Sequence, residues 1–248
     1  MLKQDINVFV GRIKQLPEQT KYKKEQLLNE DFLMEKKGNI EIYYAPFDYI
    51  NTKAKIVIVG ITPGWNQMEK AFSSFKRALI EGKSLNECMH FAKMQASFAR
   101  TMRKNLIKML DEIHLNEIFY ILTCQTLFFE NNNLLHSTSI LRYPVFVKGK
   151  NYNGHNPEMY SENLLREYIL KIFIEEINTL EHSLIIPLGK AVSNMIEELS
   201  NEHLIGTNYC LFGFPHPSGA NGHRKKQFEE YKESFISLIL FIFLKDIF

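Results

Sequence analysis

A short apolar run, KIVIVG at Lys55–Gly60, places the strongest constraint on how this chain folds. Its β-branched residues follow one another without an intervening polar position, as in strands that are buried on both faces of a parallel sheet. Three further runs predict strands of the same kind: Ile118–Cys124 (IFYILTC), Ser183–Gly189 (SLIIPLG) and Asn208–Phe214 (NYCLFGF). The sequence therefore predicts a central, mostly parallel four-stranded sheet.

Helical periodicity fills the segments between these strands. Apolar residues recur every three or four positions over Met68–His114, with a break near Gly82–Leu85, and the same spacing predicts helices at Tyr160–Leu180 and Lys190–Leu199. Strands that alternate with helices imply right-handed crossovers. We therefore expect an α/β fold with three layers, α/β/α.

The length of 248 residues fits a single domain over residues 1–248. Residues 1–50 are expected to form an N-terminal helical extension, with helices near Leu2–Leu16 and Lys21–Lys36 and a short extended piece at Ile40–Ala45. Residues 125–159 show no sustained period and contain NNN, RYP, GKNYNG and HNP. Because a loop of that length in a compact domain is usually functional or disordered, we predict a long functional loop there.

Composition excludes some classes of protein and leaves others open. Hydrophobic residues make up 45% of the chain and aromatic residues 12%, which excludes a disordered chain. The net charge of +2 permits a nucleic-acid partner without requiring one, so any attraction to DNA must come from local groups of Lys and Arg.

Cysteine usage and hydropathy bear on location and cofactors. The odd, widely spaced Cys88, Cys124 and Cys210 argue against a disulfide framework or a zinc site, so we expect a cytoplasmic monomer with no metal and no other cofactor. The N-terminus lacks the uninterrupted apolar core of a signal peptide. The apolar run at Phe235–Leu244 is about half as long as a membrane-spanning helix, so a buried C-terminal helix is predicted and no membrane partner.

Two loops carry the residues suited to chemistry. GITPGWNQ (Gly60–Gln67) and PHPSGANGHR (Pro215–Arg224) each follow a predicted strand and lead into a helical pattern. Because the carboxyl ends of parallel strands meet at one crevice, loops far apart in sequence can face one ligand there. The first loop offers Gly and Pro for close backbone approach, and the second offers an imidazole, a hydroxyl and cations.

This pair of loops resembles the uracil-DNA glycosylase superfamily, in which a GxxPG-like water-activating loop follows the first sheet strand and an HPS-type loop follows the last. The resemblance is specific at the two loops and at the flanking strand SLIIPLGKAV, whose LG turn is architectural. It implies a monofunctional DNA glycosylase, which flips a pyrimidine nucleotide out of DNA and hydrolyses its N-glycosidic bond. DNA is the implied partner.

For the first loop, the resemblance implies a water-holding role at Thr62, where relatives often have Asp or Asn. A threonine hydroxyl can hold water but cannot take its proton at neutral pH, so Asn66 and Gln67 are alternative positioning residues. Gly64 stands where uracil-restricted relatives place a Tyr that blocks substituents on pyrimidine C5, which predicts open space beside C5. Trp65 would line the pocket or stack on a base, or else simply cover the surface. The loop's other substrate-binding positions are Gly60, Ile61 and Pro63.

For the second loop, the resemblance implies that His216 donates a hydrogen bond to the pyrimidine O2 as negative charge gathers on the leaving base. Ser218 would bind a phosphate and Gly219 would let the backbone approach DNA. Asn221 is predicted as a helix N-cap, followed by the cations Arg224 and Lys225, which would meet a phosphate or else form a solvated basic face. At the end of the strand predicted at Ile118–Cys124, Thr123 or Gln125 would replace the Asn with which relatives contact the base.

Several functions remain open at this point. Gly64 and the altered LTCQT segment favour a C5-modified pyrimidine as substrate, such as the modified cytosines of some phage DNA, which would imply antiviral defence. The alternatives are a uracil-excising repair enzyme, a reader that binds modified or damaged DNA without cleaving it, and a small-molecule hydrolase that uses the same crevice. The sequence also leaves open whether an acid such as Glu69 or Glu130 acts as a general base.

Overall fold

The computed structural model describes residues 6–98, 101–180, 182–206 and 209–244. These residues divide into two units, each assembled from separate stretches of sequence. Those of unit 1 come from Met1–Ile50, Ile61–Ser97 and Ser139–Glu175, and those of unit 2 from Asn51–Gly60, Phe98–Thr138 and Glu176–Phe248. The single domain expected over residues 1–248 stays a prediction.

The elements follow in chain order. The strands are β1 (Leu33–Lys37), β2 (Ile40–Tyr43), β3 (Ile56–Gly60), β4 (Leu135–Ser139), β5 (Val145–Val147), β6 (Lys150–Asn151) and β7 (Leu184–Pro187). The α-helices are α1 (Ile6–Gln15), α2 (Lys24–Leu27), α3 (Trp65–Ile80), α4 (Leu85–Ala96), α5 (Thr101–Glu112), α6 (Leu115–Ile118), α7 (Asn163–Tyr168), α8 (Ile174–Asn178), α9 (Lys190–Asn201) and α10 (Arg224–Leu244). Short 3-10 turns cover Cys124–Phe128 and Asn132–Leu134, and a π turn at Ile169–Phe173 joins α7 to α8.

Unit 1 combines an antiparallel sheet with helices. Its strands are hydrogen-bonded in the order β1-β2-β5-β6. The buried face of α3 shows helical spacing at Met68, Phe72 and Phe75, and α3 packs along α4. Aromatic pairs fill the core, with Phe9 of α1 stacked on Tyr44 at a centroid distance of 4.2 Å.

Unit 2 contains the parallel sheet, in the order β4-β3-β7. β3 pairs in parallel with β7 from Ile56 opposite Leu184 to Val59 opposite Pro187. All five residues of β3 are buried, which explains why its sequence lacks polar positions. An isolated parallel bridge joins Cys210 to Ile185, so the predicted fourth strand contributes one bridged residue within the described part of the chain. The α/β class with a parallel sheet is thus confirmed.

Helices α5 and α10 cover the core of unit 2. Leu106 and Leu110 of α5 are fully buried in the same apolar cluster as Phe228 and Phe235 of α10. The predicted C-terminal helix is confirmed as α10, but it is only partly buried, because Phe235 and Ile239 are buried whereas Leu240 and Phe241 are 42% and 56% exposed. None of the helices in the described ranges is both long enough and apolar enough to cross a membrane.

The strand predicted at Ile118–Cys124 is wrong. This stretch contains the end of α6 and an irregular turn, in which the side chains of Tyr120 and Leu122 are 92% and 93% exposed. The last residues of this stretch bond to α5, where the Asp111 carboxylate accepts hydrogen bonds from Thr123 Oγ1 and Cys124 N. An apolar run therefore did not become a strand, because tertiary contacts outweigh strand propensity.

Two other expectations also need correction. The helix predicted at Lys21–Lys36 is instead a helical turn, α2, followed by strand β1. The helix predicted at Leu2–Leu16 corresponds to α1, and its predicted start at Leu2 lies outside the described residues. The segment 125–159 carries β4, β5 and β6 rather than one structureless loop.

Candidate active site

The loop after β3 is fastened to the segment that follows β4. The backbone N–H of Leu141 donates to Ile61 O at 2.9 Å. Thr62 Oγ1 donates to Tyr143 O at 2.9 Å and accepts from Val145 N at 3.2 Å. A hydroxyl has one hydrogen and two lone pairs. Thr62 therefore retains one lone pair that can accept a hydrogen bond from water, and it has no hydrogen left to donate.

The predicted alternatives to Thr62, which are Asn66 and Gln67, differ in whether the side-chain oxygen is already engaged in the loop. Gln67 Oε1 accepts from Gly64 N at 3.1 Å and so caps the start of α3, where free backbone N–H groups need acceptors. Asn66 is exposed, and Pro63 is buried beneath the turn. Of the two amides, Asn66 is thus the one whose oxygen is not engaged within the loop.

The space beside Gly64 is occupied. A Cβ at this position would lie 3.2 Å from Nδ2 and 3.3 Å from Cγ of Asn151, at the end of β6. The expectation of open space beside Gly64 is therefore corrected: an amide group lines that space.

Trp65 begins α3 and is half-buried. Its backbone N–H donates to Asn151 Oδ1 at 3.0 Å, and Lys24 Nζ lies 6.0 Å from the centroid of its ring. A cation at that distance interacts favourably with an indole face. The ring is therefore partly covered on one side by α2.

Carboxylates near this loop are already engaged. Glu69 is buried and accepts a hydrogen bond from Tyr22 N at 3.1 Å. Asp48, which no sequence pattern indicates, has a carboxylate that accepts hydrogen bonds from the hydroxyls of Tyr44 and Tyr143. Burial raises the pKa of Asp48, and burial together with the Asp48 charge raises the pKa values of both tyrosines. Glu130 is exposed in unit 2.

In unit 2, a hydrogen bond defines the tautomer of His216. Its Nδ1 lies 3.2 Å from Ser218 N and accepts that backbone N–H. A ring nitrogen that accepts carries no proton, so the neutral imidazole bears its hydrogen on Nε2. Burial lowers the pKa of His216 below its ordinary value of 6.5. Around neutral pH the side chain is therefore an uncharged donor through Nε2.

Several hydrogen bonds hold the loop around His216. Asn221 Nδ2 donates to His216 O at 3.2 Å, Arg224 donates to Ser218 O at 2.8 Å, and Asn105 Nδ2 of α5 donates to Pro217 O at 2.8 Å. Ser218 Oγ accepts from Ala220 N at 3.2 Å. Asn221, predicted as a cap, closes the turn before α10 by accepting His223 N through Oδ1. These groups fix the shape of the loop.

Gly189 is a further residue that sequence analysis did not assign to the site. It has φ = +88°, and a Cβ there would lie 2.9 Å from His216 Cβ. Its N–H donates to Phe214 O at 2.9 Å. The absence of a side chain at Gly189 thus leaves room for His216, and the LG turn after β7 was the available sequence signal.

The exposed part of the second loop carries the positions predicted to meet DNA. Gly219 is exposed, and a Cβ there would lie 3.9 Å from the side chain of Thr101, at the start of α5. Lys225 and Lys226 are exposed on the first turn of α10. Lys225 and Lys226 thus offer exposed positive charge, and Gly219 has no side chain to obstruct close approach of another molecule.

Thr123 and Gln125 are not brought to this loop. Thr123 bonds to Asp111 near the end of α5, whereas Gly219 lies beside Thr101 at its start. Ten residues of helix separate those contacts by about 15 Å. The structure places the second strand at β4 instead, and within β4 Thr138 is buried with no hydrogen-bond partner for Oγ1 among the described residues. An unpaired buried hydroxyl is uncommon in protein interiors.

The three cysteines are buried and unpaired. Burial raises the pKa of the thiols of Cys88, Cys124 and Cys210, so each is held in its neutral form. In the part of the chain that the structure describes, no group of three or more His, Cys, Asp or Glu side chains could hold a metal ion.

The sequence-predicted residues thus form two sets. Unit 1 brings together Thr62, Gly64, Trp65 and Gln67 around the segment Leu141–Asn151. Unit 2 brings together His216 with Ser218, Gly219, Asn221 and Arg224. Gly60 ends β3, the strand from which the first loop emerges.

Comparison with known proteins identifies the family. A family model for the uracil DNA glycosylase superfamily matches residues 47–239. The uncharacterized protein YoxB of Bacillus subtilis (strain 168) is 42% identical over 212 residues, which is 85% of this chain and 83% of that relative. No solved structure gives a significant match. Members of the superfamily are DNA glycosylases, enzymes that bind DNA. This chain, with its GITPG and HPSG loops, belongs to the uracil DNA glycosylase superfamily.

Proposed function

We propose that this protein is a monofunctional DNA glycosylase that flips out a pyrimidine nucleotide and hydrolyses its N-glycosidic bond. Water forms a new bond to C1′ of the deoxyribose, and the bond from C1′ to pyrimidine N1 breaks with its electron pair moving to the base. The leaving base and the water-derived hydroxyl share the two hydrogens of the water between them. The product is an intact abasic site.

The arrangement at His216 carries this proposal. Because Nδ1 accepts Ser218 N, the donor proton sits on Nε2, and the lowered pKa keeps the ring neutral. A positioned donor in a site sheltered from water stabilises charge that develops on an oxygen in the transition state. Nε2–H is therefore assigned to O2 of the departing pyrimidine, whose negative charge grows as the bond to C1′ breaks.

We assign the positioning of the attacking water to Thr62, assisted by Asn66. Thr62 has one lone pair left after its bonds to Tyr143 and Val145, so it can accept a hydrogen from water and orient the oxygen for attack. It cannot remove the proton, and general-base help of about 10²–10⁴-fold is forgone. The departing base anion supplies the basic site that finally takes that proton.

Base contact and DNA binding are assigned to other residues. The unpaired Oγ1 of Thr138 in β4 is a better candidate for base contact than Thr123 or Gln125, because it has an open hydrogen-bonding capacity in a buried place. Gly219 and Lys225 are assigned to the phosphate backbone. We propose a C5-modified pyrimidine as the substrate, since the group beside Gly64 is the Asn151 amide rather than the Tyr ring that blocks C5 in uracil-restricted relatives.

A panel of DNA substrates tests the proposal. Base release is measured by mass spectrometry from duplexes that contain uracil, a thymine mismatch, hydroxymethylcytosine or glucosylated hydroxymethylcytosine. His216→Ala should reduce release at least 100-fold, as expected for loss of a transition-state donor. The matched control is His203→Ala, since His203 is exposed on the turn after α9. Absence of release from every substrate by the wild-type protein contradicts the glycosylase proposal.

Two other functions, uracil repair and the binding of modified DNA without cleavage, are distinguished with the same DNA substrates. Release from uracil DNA alone would assign uracil repair, whereas release from phage-type modified cytosines would support a role in antiviral defence. The engagement of the Thr62 hydroxyl with Tyr143 favours the second candidate, a reader that binds modified DNA without cleaving it. Tight, base-dependent binding with no turnover would identify such a reader.

A further inference from the structure

The amide of Asn151 stands beside the loop that begins α3. Asn151 ends β6, and the β5–β6 hairpin turns at Lys148 and Gly149, which have φ of +51° and +70°. The segment leading into this hairpin is fixed to the same loop, because Thr62 Oγ1 bonds to Val145 N at the start of β5. Two contacts thus hold Asn151 next to the loop: the bond of its own side chain to Trp65 N and the bond of its hairpin to Thr62.

The orientation of the Asn151 amide follows from its hydrogen bond. Trp65 N can only donate, so the side-chain atom 3.0 Å away is the carbonyl oxygen Oδ1. Nδ2 then faces Gly64, 3.2 Å from where a Cβ would be. Asn151 is exposed, and among the described residues no acceptor is found for the two hydrogens on Nδ2. The amide thus presents a free donor beside Gly64.

We propose that Asn151 determines specificity by donating from Nδ2 to an oxygen on the C5 substituent of the flipped pyrimidine. The inference rests on the proposed function, in which Gly64 adjoins C5. It narrows the substrate class to pyrimidines with an oxygen-bearing C5 group, such as hydroxymethyl, formyl or carboxyl. A methyl group offers no acceptor, so a 5-methyl base leaves Nδ2 without a partner.

The size of the effect follows from the exposure of Asn151. A hydrogen bond in a solvent-accessible place contributes a modest net amount, because water competes for both partners. The preference for 5-formylcytosine over 5-methylcytosine should therefore be about 3- to 10-fold larger in the wild-type protein than in a variant without the donor.

Two substitutions separate the donor role from a structural role. Asn151→Asp keeps an oxygen that accepts Trp65 N and even places a negative charge at the start of α3, which favours the helix. It removes the NH2 group. Asn151→Ala removes both groups. The control is Asn153→Ala, because Asn153 lies two residues along the same segment and its Oδ1 accepts the nearby His155 N at 3.2 Å, the one side-chain bond found for it within the described ranges.

The measured quantity is the ratio of kcat/KM for 5-formylcytosine DNA, whose C5 oxygen only accepts hydrogen bonds, to that for 5-methylcytosine DNA. Affinity for the same two DNAs is measured in parallel by fluorescence anisotropy, with a fluorine at the 2′ position of the target sugar to slow cleavage. We expect both Asn151→Asp and Asn151→Ala to lower the two ratios by about 3- to 10-fold. Asn153→Ala should leave them unchanged.

The outcomes are separable. If Asn151→Asp keeps the wild-type ratios, or if both variants weaken the two DNAs equally, Asn151 only caps α3 and the inference is overturned. If the wild-type protein releases no base, the glycosylase proposal fails, and the affinity ratios still decide the role of Asn151. An unchanged affinity ratio in both variants would reject that role.

Discussion

Gly189 and His216 meet at a distance that admits no additional atom. The φ of +88° at Gly189 lies in a region that residues with a side chain rarely adopt, and a Cβ there would come within 2.9 Å of His216 Cβ. The position of the imidazole therefore depends on a residue that performs no chemistry. Such a requirement is visible only when the two loops are placed in space, since Gly189 and His216 are distant in sequence.

We expect Gly189→Ala to displace His216 and to destabilise the fold by about 2–4 kcal/mol, from backbone strain and the clash together. Base release should fall at least tenfold at a temperature where the variant is still folded. Gly206→Ala is the control, because a Cβ at Gly206 meets no atom within 4 Å. Urea unfolding and single-turnover kinetics measure the two effects, and wild-type rates in Gly189→Ala would show that this contact does not position His216.

The protonation state of His216 is open to direct measurement. Burial lowers the pKa of its folded form, so the group stays neutral as the pH falls through 6.5 while an unfolded chain would take up a proton. Its contribution to stability is therefore lost as the pH falls from about 6.5 through the folded pKa. NMR of ring nitrogens should show hydrogen on Nε2 and a titration midpoint below 6.5. The signal is assigned by its loss in His216→Gln, and a midpoint above 6.5 would contradict this assignment.

At the scale of elements, the strand β4 shows why sequence patterns located two strands correctly and missed another. β3 and β7 are continuous apolar runs, and the burial of all their residues matches that pattern. β4 reads LHSTS, yet His136, Thr138 and Ser139 are buried. Nothing local indicates a buried strand there, because the partners of His136 come from distant segments. His136 Nε2, for instance, lies 2.6 Å from Glu176 Oε1.

The buried pair of His136 and Glu176 predicts a specific pattern of stability. His136 Nδ1 accepts from Asn51 N at 3.3 Å, so Nε2 carries the hydrogen that is donated to Glu176. Glu176→Leu removes the acceptor of Nε2–H while the bond from Asn51 N to Nδ1 remains, and it should cost about 1–3 kcal/mol. The double change His136→Leu with Glu176→Leu should cost less than the sum of the single changes. Urea unfolding of the four proteins measures the coupling, and additive losses would contradict it.

The candidate site was predictable to a similar extent. Thr62 and His216 were predicted because the GITPG and HPSG loops directly follow apolar runs and resemble the loops of a known family. Asn151, Gly189 and Asp48 were not, because each acts through a contact with a residue far away in the sequence. The assignment of base contact to Thr123 or Gln125 stays a prediction, but the strand on which it was based is absent from the described residues.

At the scale of the whole molecule, the small net charge means that attraction to DNA depends on local groups of cations rather than on the electric field of the whole protein. A net charge of +2 over 248 residues gives little long-range field, so affinity must depend on particular cations. Lys225 is exposed on the first turn of α10, close in sequence to Gly219. It is the cation whose removal should report most directly on contact with phosphate.

We expect Lys225→Gln to weaken binding uniformly across DNA sequences and to reduce the slope of log affinity against log salt concentration by about one. The cause is the loss of one neutralised phosphate and of the counterions released there. Anisotropy titrations at several salt concentrations measure the slope. Lys171→Gln is the control, since Lys171 is an exposed residue that pairs with Glu167. An unchanged slope in Lys225→Gln would remove Lys225 from the DNA-binding surface.

The interleaving of the two units has a consequence for recombination. Each unit draws on three stretches of chain, which alternate from Met1–Ile50 to Glu176–Phe248. A chimera made with the Bacillus relative by a single crossover would therefore combine two parents within at least one unit wherever the junction falls. An exchange that preserves parental packing must replace all three stretches of a unit together. Gene shuffling in this family is thus constrained by the order of segments along the chain, and functional hybrids should come from multiple paired junctions.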